Sequence, residues 1–219
     1  LLPRGTYVAR RGLASTILMR GLSSGTLLGT EAFLPLLLQK IHGWRPTEAG
    51  FILTVGSITW ALGSWIQGRI SSPDLRRNIA SLGTTFQLCG ILVVVPASFY
   101  RFSPWLVVAG WSLAGLGMGL VFSAMAVHAL AMTPKRRQGT TSSAIQLADT
   151  LGFSFCVAVV GLVYAIVMPA QEWAFAASVG TMALLSVVSL IVVRRTVPHP
   201  GSEEEAQLQS SARAIESVV

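Results

Sequence analysis

Six apolar stretches, each long enough to cross a lipid bilayer as a helix, alternate with short polar segments along the chain. A membrane-spanning helix needs roughly 20 residues. The stretches cover residues 13–41, 49–67, 79–99, 104–132, 142–167 and 173–193. The connecting segments are short and contain Gly or Pro, as expected between antiparallel neighbouring helices. The pattern predicts an all-α integral membrane protein with six transmembrane helices.

The two ends of the chain differ from this pattern. Residues 196–219 are polar and contain Pro198, Pro200 and a run of three glutamates. This composition predicts a disordered cytoplasmic tail. The chain opens on Leu-Leu-Pro-Arg without a methionine and shows no signal-peptide pattern, so we expect it to start within a longer protein.

The composition supports the membrane class. Of the 219 residues, 52% are hydrophobic and only 11% are charged, whereas soluble domains carry about 25% charged residues. The net charge of +7 does not indicate nucleic-acid binding, because the basic residues lie in short groups between apolar stretches. Cys89 and Cys156 both lie within apolar stretches, which excludes a disulfide-stapled scaffold.

The basic residues are divided unequally between the two sets of helix ends. One set holds Arg4, Arg10, Arg11, Arg69, Arg76, Arg77, Lys135, Arg136, Arg137, Arg194 and Arg195. The other set holds only Lys40, Arg45 and Arg101. Positively charged ends stay cytoplasmic. The bias predicts a multi-pass protein of the cell membrane with both termini in the cytoplasm.

Three ionisable residues interrupt the apolar stretches: Arg20, Glu31 and Asp149. Such residues are costly at membrane depth and usually face a cavity or a partner. Arg20 is close enough to the cytoplasmic interface to snorkel, whereas Glu31 is deeper, about 16 Å further along the same helix face. All three are candidates for a proton or substrate pathway. Each carboxylate also has a structural alternative. Glu31 could be hydrogen-bonded to a polar side chain inside a dry helix bundle, and Asp149 could be a hydrogen-bonding group at a helix interface.

A glycine run in the fourth stretch contains Gly115, Gly117 and Gly119. A dinucleotide-binding site would need a preceding strand and a helix that opens at the glycines. Here the run lies inside an apolar helix, so we interpret the glycines as helix-packing residues.

The polar segment between the second and third stretches is the other candidate site. Its members are Gly68, Arg69, Asp74, Arg76 and Arg77. They could form a cytoplasmic gate whose charge contacts break on opening. The alternative is an ordinary positively charged cytoplasmic loop.

Several of these segments together resemble one protein family. They are residues 31–36, 43–50, 68–77, 110–119 and 138–152. In order and spacing they are similar to the C-terminal six-helix half of a major facilitator superfamily transporter, near the actinobacterial drug:proton antiporters. Residues 68–77 resemble the family's Gly-x-Leu-x-Asp-Arg-x-Gly-Arg-Arg motif, but Ser72 and Pro73 stand where that motif has Asp and Arg.

The resemblance implies a 3+3 inverted repeat and alternating access between two six-helix halves. The partners are then the missing N-terminal half, the lipid bilayer, a small-molecule substrate and protons. The expected function is secondary active transport by proton-coupled efflux of hydrophobic or cationic compounds, with Glu31 as the coupling carboxylate and Asp149 as the next candidate.

Two other function classes compete with transport. A non-transporting receptor or assembly protein stays open for an isolated half. An intramembrane enzyme would need a Gly-x-Ser-x-Gly-like nucleophile motif or clustered metal ligands, and the sequence contains neither. We therefore expect no enzymatic activity, cofactor or metal.

Overall fold

The computed structural model describes residues 12–70 and 73–193, with side chains described for 12–70 and 78–193. Within these ranges the chain is helical, with seven α-helices joined by turns and two short 3₁₀ helices. The α-helices are α1 (Leu13–Glu31), α2 (Leu34–His42), α3 (Pro46–Arg69), α4 (Pro73–Val94), α5 (Trp105–Ala131), α6 (Gln138–Val167) and α7 (Gln171–Val193). α1 and α2 together make the first of six helical segments long and apolar enough to span a membrane. The predicted fold class is confirmed.

The first apolar stretch was predicted as one helix over residues 13–41, and the structure divides it at Ala32 and Phe33. Pro35 explains the break, because it has no N–H to donate to the carbonyl of Glu31 and its ring crowds that carbonyl. The Phe33 N–H instead donates to the Thr30 carbonyl at 3.0 Å. The break places Glu31 at the C-terminal end of α1.

Prolines also set several other boundaries. α3 begins at Pro46 and α4 at Pro73, three and six residues before the predicted starts. Proline is favoured at the first position of a helix, where its missing N–H costs nothing. At its other end α4 stops at Val94, ahead of a 3₁₀ turn over Pro96–Ser98. α6 starts at Gln138, after a second 3₁₀ turn over Lys135–Arg137.

The helices pack in two layers. α3, α5, α1 and α6 stand side by side in that order and form the front row, while α4 and α7 lie behind it. α4 packs against α5 and α7, and α7 packs against α1 and α6. The core includes Trp111 of α5 and Phe175 of α7, both almost fully buried. Among the described residues nothing covers the opposite side of the row, which we call the front face.

A glycine seam joins α1 to α6. Gly21, Gly25 and Gly29 of α1 meet Ala148, Gly152 and Cys156 of α6, one helical turn apart on each helix. A Cβ at Gly21 would lie 2.7 Å from the Ala148 carbonyl oxygen, and one at Gly29 would lie 2.9 Å from the Cys156 Cβ. Small residues therefore let the two backbones touch, as is common between membrane helices.

The glycine run of α5 contacts two helices at once. Gly115 and Gly119 lie against α3, where Gly115 meets Thr59 and Gly119 meets Trp60. Gly117 points the other way, towards Gly83 and Gln87 of α4. The run therefore lets α5 pack closely against both neighbours.

Candidate functional site

An ion pair links a buried and a partly exposed charge, Arg20 of α1 and Asp149 of α6, within the front row. The Arg20 guanidinium donates from Nε to Asp149 Oδ1 at 3.2 Å and from Nη2 to Asp149 Oδ2 at 3.0 Å. Ser24, one turn after Arg20 on α1, donates to Asp149 Oδ1 at 2.7 Å. Two parallel bonds to a carboxylate hold a guanidinium in a fixed plane. Arg20 and Asp149 are therefore brought together, across the glycine seam between α1 and α6.

Arg20 is also held by α5. Its Nη1 donates to the Phe122 carbonyl at 2.8 Å, and its Cζ lies 3.4 Å from the centre of the Phe122 ring. The side chain is only 7% exposed. Arg20 therefore does not snorkel to the end of its helix, although its position in the sequence is close enough to allow it. A partner carboxylate, a carbonyl and an aromatic face satisfy the charge inside the bundle instead.

Glu31 has a different environment from Asp149. It lies 11 residues after Arg20, at the helix break made by Pro35, and its side chain is partly exposed. Within the described ranges no hydrogen bond or ion pair reaches its carboxylate. The structure therefore does not bring Glu31 together with the Arg20–Asp149 pair.

The predicted gate residues are only partly described. Gly68 and Arg69 form the last turn of α3, and Arg69 Cζ lies 4.0 Å from the centre of the Trp65 ring. A Cβ at Gly68 would meet no atom of the described residues within 4 Å. Asp74, Arg76 and Arg77 belong to the first turns of α4, but their side chains lie outside the described residues. The tail over residues 196–219 lies outside them as well.

A second polar cluster joins α1 to the rear layer. The Gln87 amide of α4 donates to the Ser23 carbonyl at 2.8 Å and to Thr26 Oγ1 at 2.9 Å. The Ser23 and Ser189 hydroxyls lie 2.8 Å apart, which connects α1 to α7. All four side chains are fully buried. These contacts tie the two layers together with uncharged groups.

The three turns at one end of the bundle meet one another. Trp44 and Trp105 approach edge to face at 5.8 Å, and Phe99 and Trp173 do so at 5.0 Å. The His42 ring bonds to the Ala97 carbonyl at 2.7 Å. Aromatic residues are enriched where membrane proteins cross the interface. This end carries Lys40, Arg45 and Arg101, the smaller set of basic residues.

Nearly the whole chain matches one known protein family. Residues 7–218 match the family model described as Major Facilitator Superfamily. The chain belongs to the major facilitator superfamily. The predicted resemblance is thereby confirmed, and membership agrees with the prediction that the chain is not an enzyme. With six apolar helices, this member of the superfamily is a multi-pass membrane protein.

Individual relatives within the superfamily are named for transport or drug resistance. The chain is 30% identical over 168 residues to the "Probable actinorhodin transporter" of Streptomyces coelicolor, and the aligned region covers 75% of this chain and 28% of that protein. It is 27% identical over 153 residues to "Multidrug resistance protein 3" of Bacillus subtilis, covering 70% of this chain and 30% of that protein. It is 26% identical over 195 residues to "Quinolone resistance protein NorB" of Staphylococcus aureus, covering 84% of this chain and 40% of that protein. The chain thus spans less than half the length of these curated relatives.

Sequence reasoning identified Arg20 and Asp149 separately but missed their pairing. It also missed Ser24 and Phe122, which hold the pair in place. Ser24 carries a detectable signal, because its spacing of four residues from Arg20 places both on one side of a helix. Phe122 carries none, since a phenylalanine in an apolar stretch is indistinguishable from its lipid-facing or core neighbours.

Proposed function

We propose that this chain is the C-terminal six-helix half of a proton-coupled efflux transporter, with both termini in the cytoplasm. Family membership and the names of the relatives support transport. The relatives are longer than the chain, which supports a missing N-terminal half. The substrates proposed are hydrophobic or cationic small molecules, moved by alternating access.

The front face has the composition of a surface that another helix layer covers. On α6 the exposed residues Ser143, Gln146, Thr150 and Ser154 form a polar stripe at helical spacing. Most of the exposed bulky apolar residues, Leu151, Phe155, Leu162 and Ile166, lie on a different side of α6, while Phe153 is exposed beside the polar stripe. Lipid tails offer no partner to hydroxyl and amide groups. The polar stripe therefore favours contact with the missing half, and the bulky stripe favours lipid.

α3, at the other edge of the front row, carries a similar surface. Gly50, Thr54, Ser57 and Ala61 follow one side of the helix, while Phe51, Ile58, Leu62 and Trp65 are exposed on another. A Cβ at Gly50 would meet no described atom within 4 Å. Both edge helices thus present small or polar residues where the missing half would dock. Because the transport path runs between halves, this chain expressed alone should not transport.

Glu31 is the carboxylate that we propose to carry the coupling proton. The observation that supports this assignment is the contrast between the two membrane carboxylates. Asp149 is occupied by Arg20 and Ser24, whereas no described group bonds to Glu31. A carboxylate without a fixed partner can gain and lose a proton without breaking other contacts. Glu31 also lies at the Pro35 break, and irregular backbone at membrane depth is tolerated only where it is buried in protein or lines a water-filled cavity.

The test replaces Glu31 by Gln in the complete protein, reconstituted in proteoliposomes with an imposed pH gradient. Glu31→Gln keeps the size of the side chain and removes the titration. We expect proton-driven export to be abolished while substrate binding and membrane insertion stay unchanged. Glu48→Gln serves as the control, because Glu48 is exposed at the start of α3 and should not affect coupling. Near wild-type coupling in Glu31→Gln would make Glu31 structural.

The proposed orientation has its own test. Single cysteines at Arg45 and Arg101 should react with an impermeant thiol reagent added outside cells. Cysteines at Arg76 and Arg136 should react only after permeabilisation, because the positive-inside rule places them in the cytoplasm. The reverse labelling pattern would contradict the assignment.

A further inference from the structure

Four side chains, one from each helix of the front row, form a continuous layer across it. Trp60 of α3 meets Phe122 of α5 edge to face, with ring centres 5.2 Å apart. Arg20 of α1 covers a face of the Phe122 ring at 3.4 Å and pairs with Asp149 of α6. Arg20, Phe122 and Asp149 lie about 11 to 17 Å from the cytoplasmic ends of their helices, at 1.5 Å per residue. We call these four residues the front layer.

The front layer opens onto the front face. Trp60, Phe122 and Asp149 are partly exposed, and only Arg20 is buried. On α6, Asp149 stands three residues from both Gly152 and Gln146, which is about 60° to either side of it. Gly152 belongs to the seam with α1, and Gln146 belongs to the exposed polar stripe. The carboxylate therefore lies between the packed side and the open side of its helix.

The charges of the front layer cancel. One guanidinium and one carboxylate are joined by two hydrogen bonds, and the third donor contact of Arg20 goes to a carbonyl. The remaining Asp, Glu, His, Lys and Arg side chains that the structure describes lie in turns or in the end turns of helices, including His128 in the last turn of α5 and Glu31 at the end of α1. The layer therefore presents aromatic rings and a neutral ion pair to the front face.

We propose that Arg20 and Asp149 determine the charge of the substrate that this half accepts. Paired, they give the front layer no net charge, so it favours neutral aromatic compounds among those proposed above. The inference rests on the proposed transport function. It adds that Arg20 without Asp149 would favour anions, whereas Asp149 without Arg20 would favour cations.

The reason lies in the low dielectric of a membrane cavity. An unpaired charge there interacts with a charged ligand far more strongly than it would in water. Removal of the Asp149 charge leaves Arg20 free to attract an anion, and removal of the Arg20 charge leaves Asp149 free to attract a cation. A purely structural ion pair makes a different prediction, since both single variants would weaken all ligands alike.

The experiment measures binding to the purified complete protein, so that it does not depend on transport. The probes are three naphthalenes that carry a hydroxymethyl, a trimethylammoniomethyl or a carboxymethyl group. We expect the wild-type protein to prefer the neutral probe. The ratio of cation to anion affinity should rise about tenfold in Arg20→Gln and fall about tenfold in Asp149→Asn, a conservative figure for one uncompensated nearby charge. The double variant should return the ratio to near its wild-type value.

Two further measurements keep the test decisive. Glu172→Gln changes a charge at the far end of the bundle and should leave the ratio unchanged. Should the single variants fail to accumulate, Phe122→Leu and Trp60→Leu keep both charges and should weaken all three probes by a similar factor. The inference is wrong if the wild-type protein binds none of the probes, if the two single variants shift the ratio in the same direction or not at all, or if the aromatic variants bind all three probes normally. Export by the same wild-type protein would leave the proposed function standing in each of these cases.

Discussion

The two sides of α1 differ in the partners that satisfy their polar groups within the membrane. On the front side, Arg20 and Ser24 bind a carboxylate that is 21% exposed. On the rear side, Ser23 and Thr26 bind an uncharged amide that is fully buried. The two clusters lie within seven residues of each other on the same helix. Charge is therefore placed where the bundle is open, and neutral groups are placed where it is closed.

We infer that this division separates the joining of helices from the recognition of a ligand. Neutral hydrogen bonds between membrane helices contribute about 0.6 kcal/mol on average, and their strength does not depend on what binds to the protein. A mostly buried ion pair is a costly way to join helices, because both charges lose most of their contact with water. The Arg20–Asp149 pair is thus poorly suited to a role limited to holding helices together, whereas the rear cluster suits that role well. The following predictions test the difference in the complete protein.

The largest effect should follow from loss of one member of the ion pair. Asp149→Asn leaves the buried Arg20 charge without its partner, which typically costs about 3–5 kcal/mol, and Arg20→Gln leaves the partly exposed Asp149 charge unpaired at a smaller cost. The combined Arg20→Met and Asp149→Leu replacement removes both charges and should recover most of that loss. Unfolding of the purified protein in mixed micelles, titrated with SDS, measures the three free energies. A double variant as unstable as the singles would show that the pair itself stabilises the fold.

The second effect concerns the glycine seam that brings the ion pair together. A Cβ at Gly152 would meet the Gly21 backbone of α1, which the neighbouring contacts at Gly25 and Gly29 hold in place. Gly152→Ala should therefore cost about 3 kcal/mol, the upper end of the usual range for overpacking. Gly161→Ala is the matched control on the same helix, because nothing described lies within 4 Å of its Cβ position. Equal losses of stability in the two variants, measured by the same titration, would contradict the seam.

Local sequence signals predict the number of spans well, because each span must satisfy its backbone within one helix and shield it with apolar side chains. The six stretches and their approximate bounds follow from that constraint. The break at Ala32 was less visible, although Pro35 marks it, because prolines are tolerated within membrane helices. The sequence shows Pro35 but does not show whether neighbouring groups satisfy the freed backbone carbonyl and keep the helix continuous.

The site was harder to predict than the fold. Arg20 and Asp149 are 129 residues apart, and no local pattern tells which two of the three ionisable residues in the apolar stretches will meet. Their pairing depends on the packing of α1 against α6, which the small residues Gly21, Gly25 and Gly152 permit. The cost of an isolated charge in lipid predicts that a partner exists. It does not predict that Phe122 would provide an additional carbonyl and ring face.

The smallest effect is expected at Gln87, the centre of the rear cluster. Its amide nitrogen makes two hydrogen bonds to α1, but in the part of the chain that the structure describes its Oε1 has no partner. Gln87→Leu therefore removes an unsatisfied acceptor together with two modest bonds. We expect a loss of about 1 kcal/mol, in the range measured for hydrogen bonds between membrane helices. Probe binding at the front face should not change.

Gln87→Glu sharpens the same prediction, because it keeps the shape of the side chain and adds a charge on the closed side of α1. An ionised carboxylate cannot donate to the Ser23 carbonyl and would face it as a second acceptor. Nothing corresponding to Arg20 lies in the rear cluster, whose described members are Ser23, Thr26, Gln87 and Ser189. Gln87→Glu should therefore destabilise the protein several times more than Gln87→Leu in the SDS titration. Equal effects of the two variants would mean that the closed side tolerates charge as readily as the open side, and the contrast between the two sides of α1 would fail.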